Sequence, residues 1–193
     1  MRKIVTAFFL LLAALCAWGA QLRSRGSSNA PILIDVYSDF QCPACKMLYE
    51  RTLGPLAYDY VEKGKVYLVH HEFPLPMHAH AMEAACYACA ASRVGKYEQV
   101  SDVLFRQQEI WAANGKVDET VCSILTPAEA KKVRALAKDP AIAAEVKQDI
   151  QAGQTAQVNQ TPTMILTYRA KQYRIPGGNY DILRRFIDQL LSN

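Results

Sequence analysis

Two cysteines separated by two residues lie where a strand gives way to a helix, and this junction constrains the fold more than any other feature of the sequence. Residues 31–37, PILIDVY, form a short β-rich apolar run that is typical of a buried strand. The tetrapeptide CPAC, residues 42–45, follows and opens a helical pattern. A second strand pattern at 65–73 completes a strand–helix–strand unit, which predicts a right-handed crossover between parallel strands.

The rest of the chain predicts a long helical block and then a second group of strands. From about 79 to 157 the apolar residues recur almost throughout at helical spacing. Strand patterns return at 163–168 and 173–175, and residues 180–191 form an amphipathic helix. The order is therefore β-α-β, helices, then β-β-α. We expect an α/β fold in which a helical domain is inserted between the two halves of one sheet.

The N-terminal segment predicts export. Two basic residues precede a largely apolar run at 4–18, and small residues flank position 18. We expect residues 1–19 to be a signal peptide cleaved before Ala20, or alternatively an uncleaved N-terminal anchor. Residues 20–30 are polar and rich in serine, which predicts a flexible linker, and residues 31–193 then form the folded domain.

The net charge argues against a nucleic-acid partner, and the cysteine content indicates a location outside the cytosol. The net charge of +4 is too small for a nucleic-acid footprint, so no nucleic-acid partner is expected. Six cysteines among 193 residues are many for a cytosolic protein. Disulfides persist outside the cytosol, so we expect a periplasmic or cell-envelope location.

The place of the first cysteine pair predicts redox chemistry. Free amides and the positive end of the helix dipole stabilise an anionic sulfur at a helix N-terminus. Cys42 should therefore have a lowered pKa and attack as a thiolate, while Cys45, one turn later, should be buried and resolve the mixed disulfide. The alternatives are a structural disulfide or half of a zinc site. Thiol–disulfide exchange needs no cofactor, and none is expected.

A proline before a predicted central strand is the second marker. Pro162 cannot donate to the strand ladder, so its position needs a reason. A cis Thr161–Pro162 bond would bring the Thr161 backbone beside Cys42, where its carbonyl and amide would pair with an extended substrate peptide. The alternative is an ordinary trans proline at the start of a strand.

Together these segments resemble the DsbA-like thioredoxin-fold oxidoreductases. The resemblance is carried by SDFQCPACK, EFPLPMHAHAMEAA and QTPTMIL, and covers nearly all of 31–193. It implies a thioredoxin fold with a helical insertion, a nucleophilic Cys42, a resolving Cys45, and a cis-proline at Pro162 preceded by Thr161. It also implies reduced or unfolded exported proteins as substrates, and recharging by a membrane quinone-linked thiol oxidase.

Two departures from the family pattern concern the thiol chemistry. Ala44 stands where the best-known oxidase of the family has a histidine that holds the thiolate, which implies a less oxidising cysteine pair. Val36 stands where many relatives have a buried acid near the second cysteine. Asp39 and Glu72 are the candidates to replace that acid as the proton acceptor for Cys45.

Other residues complete the predicted site. We expect an apolar surface around Pro162, including Phe40, to hold unfolded chains. Cys86 and Cys89 form a second CxxC inside a predicted helix, where a redox pair is disfavoured. A structural disulfide would join Cys122 to Cys89 or, as a weaker alternative, to Cys86.

Three functions remain open from the sequence. We expect an exported thiol–disulfide oxidoreductase that forms or exchanges disulfides in exported proteins. A reductase or isomerase on the same scaffold is the first alternative, and a non-catalytic metal-binding or delivery module is the second. The two CxxC pairs are 40 residues apart, against about 15–20 in common zinc modules, so no metal site is expected.

Overall fold

The computed structural model describes residues 22–175 and 178–192. The predicted signal peptide over 1–19, and the alternative anchor, lie outside these residues. Within the described part of the chain, no helix has the length and apolar character needed to cross a membrane.

In the described part of the chain, five strands form one mixed sheet. They are β1 (Ser24–Arg25), β2 (Ile32–Ser38), β3 (Val66–Glu72), β4 (Thr163–Tyr168) and β5 (Lys171–Ile175). The strand order is β1-β3-β2-β4-β5, in which β2 runs parallel to β3 and antiparallel to β4. The predicted β-β-α half therefore joins the β-α-β half through the pairing of β4 with β2, and the thioredoxin fold is confirmed.

The crossover between β2 and β3 is a helix with widened turns. It consists of α1 (Pro43–Leu48) and α2 (Gly54–Leu56), with π-helical turns at Tyr49–Leu53 and Ala57–Val61. Pro55 lies in the first turn of α2 and has no amide hydrogen to donate to the preceding turn. The sequence therefore interrupts the regular helical ladder at this point, and wider turns absorb the break.

Six helices lie between β3 and β4 and make up the insertion. They are α3 (Ala81–Ser92), α4 (Tyr97–Arg106), α5 (Gln108–Asn114), α6 (Val117–Cys122), α7 (Pro127–Ala137) and α8 (Pro140–Thr155). Helix α7 begins with a capping box, in which Thr126 and Glu129 satisfy each other's backbone amides. The chain then returns through β4 and β5 to α9 (Tyr180–Leu191), which packs on the sheet.

Among the described residues, the two largest hydrophobic clusters support the fold. The first joins the sheet to the crossover helix and α9, with Ile34, Leu166 and Leu183 fully buried. The second lies within the insertion around Leu104 and Trp111, and it includes both cysteines of the CPAC sequence. Burial of each large side chain stabilises the fold by about 1.5–3 kcal/mol. The cysteine pair therefore lies where the thioredoxin half and the insertion meet.

The predicted flexible linker differs from what the structure shows. Residues 24–25 form β1 and pair with β3, so this part of 20–30 belongs to the sheet. The preceding Arg23 is only 1% exposed, and its guanidinium pairs with the carboxylates of Asp149 and Glu145 in α8. A buried arginine needs such partners, and they fix the segment to the insertion.

Candidate active site

Cys42 occupies the N-cap position of α1. Its backbone is extended, with φ −80° and ψ 120°, and its carbonyl accepts hydrogen bonds from the amides of Cys45 at 3.0 Å and Lys46 at 3.2 Å. Pro43 follows in the first turn, where its missing amide hydrogen costs nothing. The Cys42 side chain therefore lies at the end of the helix where unpaired amides favour negative charge.

The Cys42 thiol is strongly acidic. A hydrogen bond from the Cys45 thiol lowers the pKa of Cys42 to about 5, against the opposing effect of burial. The Thr161 side chain and the amides of Cys45 and Ala44 contribute to this lowering. At neutral pH the sulfur is therefore a thiolate, the form that attacks disulfides.

Cys45 has the opposite character. It is 1% exposed, and burial raises the pKa of its thiol far above the ordinary value. The backbone amide of Asp39 lies 3.4 Å from its sulfur. The pair is thus divided into one thiolate and one thiol at neutral pH, with the thiol donating to the thiolate.

The Thr161–Pro162 peptide bond is cis, and it borders the cysteine pair. The Thr161 carbonyl lies 3.4 Å from the Cys42 sulfur. A groove of about 620 Å³ opens beside it, with Met47 and Tyr180 among its lining residues. The structure thus brings together residues that are more than 100 positions apart in the sequence.

Phe40 does not lie on this surface, contrary to the expectation from the sequence. Its side chain is 3% exposed and packs against Phe105 of α4, with ring centroids 4.9 Å apart. The loop before α1 turns this ring into the insertion core. Met47, which is 50% exposed, supplies an apolar side chain to the groove instead.

Asp39 organises the loop before α1. Its carboxylate accepts hydrogen bonds from the amides of Gln41 and Leu75 and contacts Nδ1 of His78, each at 2.7 Å. These contacts join the loop after β2 to the loop after β3. Because its oxygens are engaged in this way, Asp39 is poorly placed to take a proton from Cys45.

Glu72, the other candidate acid, shares a small cavity with Cys45. The cavity measures about 10 Å³, close to the smallest space that holds one water molecule. Ser101 borders the same cavity, and its buried hydroxyl has no hydrogen-bond partner among the described residues. Glu72 accepts a hydrogen bond from the Tyr97 hydroxyl at 2.8 Å, and burial raises the pKa of Glu72 to about 8 despite the nearby Arg23.

The predicted disulfide between Cys89 and Cys122 is not formed, and both residues are free thiols. Cys89 is fully buried in α3 and packs towards Ile142 and Val146 of α8. The Cys122 sulfur instead lies 3.5 Å from the Asp118 carboxylate, within its own helix. The two side chains thus belong to different environments, which the linear spacing of the cysteines did not reveal.

No cluster of three or more His, Cys, Asp or Glu residues in the described ranges is arranged to hold a metal ion. The first CxxC pair lies at the start of α1, and the second lies inside α3 against α8. The two pairs therefore belong to separate hydrophobic clusters.

Gln108 belongs to the site although no sequence motif points to it. It is 3% exposed at the start of α5, and its side-chain amide donates to the carbonyls of Phe40 at 2.6 Å and Cys42 at 3.0 Å. A single glutamine in a helical insertion carries no pattern that marks such a contact, so only the tertiary structure reveals it.

Comparison with known proteins agrees with this geometry. A family model described as thioredoxin matches residues 20–189. A probable disulfide bond formation protein D from Bacillus anthracis is 24% identical over 179 residues, covering 88% of this chain and 78% of the relative. A protein of the same name from Bacillus cereus is 38% identical over 52 residues, which cover 27% of this chain and 24% of the relative.

Solved structures show the same architecture. The alpha-DsbA1 protein of Wolbachia pipientis superposes with a TM-score of 0.76 at 17% identity, covering 88% of this chain and 90% of the other. BdbD from Bacillus subtilis gives a TM-score of 0.74 at 18% identity, with 89% and 93% covered. The chain therefore belongs to the thioredoxin family, and it has the fold with a helical insertion that is found in the DsbA-type structures.

Proposed function

We propose that this protein is an exported thiol–disulfide oxidoreductase that forms or exchanges disulfides in exported proteins through Cys42 and Cys45. One observation carries the proposal: a thiolate at a helix N-terminus lies beside a buried thiol and 3.4 Å from the carbonyl that precedes a cis-proline. The name of the Bacillus anthracis relative, a probable disulfide bond formation protein, supports the same activity.

In the oxidising direction, the pair begins as a disulfide. A substrate thiolate attacks the Cys42 sulfur, the Cys42–Cys45 bond breaks, and Cys45 takes up a proton. A second substrate thiolate then attacks the substrate sulfur of the mixed disulfide and releases Cys42 as a thiolate. Two electrons pass from the substrate to the enzyme. Because a thiol of low pKa leaves readily, the acidity of Cys42 favours this release.

In the reducing direction the same steps run backwards. The Cys42 thiolate attacks a substrate disulfide, and Cys45 must lose its proton before it can resolve the mixed disulfide. Glu72 is the proton acceptor in this proposal, through a water molecule in the cavity that it shares with Cys45 and Ser101. Asp39 organises the adjacent loop and does not serve this role.

The substrate and partners follow from the same site. Reduced or unfolded exported proteins bind as extended segments along the groove, with the Thr161 backbone pairing to the chain and Met47 offering apolar contact. A membrane quinone-linked thiol oxidase recharges the reduced pair. The protein acts in the periplasm or cell envelope.

Refolding of a reduced disulfide-containing protein tests the activity, with insulin reduction as the assay for the opposite direction. Cys42→Ser should lower both to the uncatalysed rate, because the attacked sulfur is gone. A Cys42→Ser variant that retains either activity contradicts the proposal and favours the binding-module alternative.

The redox potential in a glutathione buffer separates an oxidase from a reductase. A value near that of thioredoxin, about −270 mV, favours the reductase, and a value towards that of strong oxidants, about −120 mV, favours the oxidase. Because Ala44 offers no side-chain donor to the thiolate, we expect a value between these limits.

A further inference from the structure

The turn that carries Cys42 is held from outside by one side chain of the insertion. Gln108 starts α5, 66 residues after Cys42, and is 3% exposed. Its amide nitrogen donates to the carbonyl of Phe40 at 2.6 Å and to that of Cys42 at 3.0 Å. A side-chain amide has two hydrogens to donate, so both are used on the two carbonyls that flank Gln41.

The Cys42 carbonyl is thereby held from two sides. The amides of Cys45 and Lys46 donate to it as the first hydrogen bonds of α1, at 3.0 and 3.2 Å. Gln108 reaches it from the insertion. This carbonyl and the Cys42 side chain are attached to the same backbone segment, so holding the carbonyl fixes the direction of the Cα–Cβ bond from which the sulfur reaches the helix N-terminus.

Gln108 is itself rigidly supported. Trp111, one turn further along α5, is fully buried and donates its indole hydrogen to the Leu104 carbonyl at 2.7 Å. On the surface, Glu109 pairs with Lys46 of α1 at 3.4 Å. Helix α5 is thus anchored in the insertion core and tied to the helix that carries the cysteines.

We propose that Gln108 is a positioning residue of the redox centre, through which the helical insertion fixes Cys42 over the first turn of α1. The inference rests on the proposed function, and it gives the insertion a part in the chemistry. Without this side chain, the turn from Phe40 to Cys42 loses two donors and gains freedom. The amides of Ala44 and Cys45 then stabilise the thiolate less well, and the reduced pair becomes less favoured relative to the disulfide.

The experiment replaces Gln108 with methionine, which matches its length but donates no hydrogen bond. In the folded full chain, the titration midpoint of the Cys42 thiolate, followed by absorbance at 240 nm, should rise. The equilibrium with glutathione should shift about fivefold towards the disulfide form, as expected for the loss of about one net hydrogen bond. Gln108→Asn keeps the amide on a shorter side chain and should give a shift in the same direction.

Gln107→Met is the matched control, since it makes the same change one residue earlier at a half-buried position. It should leave both readings unchanged. If Gln108→Met lowers only the melting temperature, while the thiolate titration and the glutathione equilibrium stay as in the wild type, the role is structural and the inference is wrong. Gln108→Asn decides the question in the same way if the methionine variant does not fold.

The result also separates this inference from the proposed function. A wild-type protein without an acidic thiol and without exchange activity contradicts the proposed function itself. If the wild-type protein has an acidic thiol and exchange activity, and the variants at position 108 match it in the thiolate titration and the glutathione equilibrium, only the role of Gln108 is contradicted.

Discussion

Two CxxC motifs occur in this chain, and they differ in almost everything except spacing and exposure. Cys42 begins the motif at 42–45 and Cys86 begins the motif at 86–89, and each is 7% exposed. The first motif opens helix α1, whereas the second lies in the middle of α3. Accessibility alone therefore does not distinguish an active cysteine from an inert one.

Local electrostatics make the difference. At Cys42 a neighbouring thiol and helix-terminal amides lower the pKa to about 5. At Cys86 burial raises the pKa to about 11, with Glu72 and Glu83 adding to the rise. In the middle of a helix the amides already bond to the preceding turn, so none is free to stabilise a sulfur anion. The same motif thus yields a thiolate at one end of a helix and an inert thiol within another.

Alkylation of the reduced protein tests this comparison most sharply. At pH 7 the thiolate fraction of Cys42 should exceed that of Cys86 by about ten-thousandfold, although the lower nucleophilicity of an acidic thiolate offsets about 500-fold of this. Cys42 should therefore react roughly 20-fold faster with iodoacetamide. Peptide mapping by mass spectrometry follows both rates from pH 4 to 10. Equal alkylation rates of Cys42 and Cys86 at pH 7 would contradict the conclusion that only the first motif carries a thiolate.

The dependence of stability on pH sharpens the comparison further. Because the folded state lowers the pKa of Cys42 from 9 to about 5, the unfolded state binds the extra proton between these values. As the pH rises from about 5 to 9, the free energy of unfolding of the reduced protein should therefore increase relative to that of the oxidised protein, by up to about 1.4 kcal/mol per pH unit. This added stability is lost as the pH falls through 5. Urea unfolding of both forms from pH 5 to 8 measures the difference.

The difference in unfolding free energy between the reduced and oxidised forms cancels the contributions of groups that titrate in both forms, such as Glu72 and His71. Cys86→Ser should leave the slope of this difference unchanged. A slope that is absent in the wild type, or that disappears in Cys86→Ser, would contradict the assignment of the acidic thiol to Cys42.

Glu72→Gln tests how the buried thiol of the first motif loses its proton. The carboxylate faces Arg23, Tyr97 and Cys45, and at its raised pKa of about 8 its base form increases with pH. Resolution of a mixed disulfide on Cys42 should therefore accelerate up to about pH 8 in the wild type. In Glu72→Gln it should be about a hundredfold slower at pH 8 and lose this dependence.

Glu98→Gln is the matched control for that variant. Glu98 borders the same cavity, but it is more exposed and pairs with Arg25 at 3.8 Å. We expect stopped-flow measurements to show resolution at the wild-type rate. If Glu98→Gln loses the pH dependence while Glu72→Gln behaves as the wild type, Glu98 and not Glu72 accepts the proton of Cys45, and the proposal is contradicted.

The smallest effect is expected at Cys89. It is fully buried among apolar side chains of α3 and α8, so Cys89→Ala should cost about 1 kcal/mol of unfolding free energy through the cavity that remains. Exchange activity should be unchanged. Thermal unfolding combined with the insulin assay measures both, and a loss of activity in the folded variant would mean that the second motif takes part in the chemistry.

Most of the fold was predictable because its signals are local. The alternation of strand and helix periods predicted the β-α-β and β-β-α halves, and in the structure Thr126 and Asp139 are the N-caps of α7 and α8. The linker at 20–30 was less predictable. Its polar composition resembles a tether, and only the buried acids of α8 explain why Arg23 and the short β1 are held in place.

By itself the sequence determined that Cys42 begins a helix after a strand, and that a proline precedes the later strand. These are properties of neighbouring residues, which backbone propensity and helix-terminal charge decide. Only the tertiary structure decided that Phe40 is buried, that Glu72 rather than Asp39 shares a cavity with Cys45, and that Gln108 reaches the active-site turn. Those contacts join distant segments, and packing alone selects them from the many pairs that one polar pattern allows.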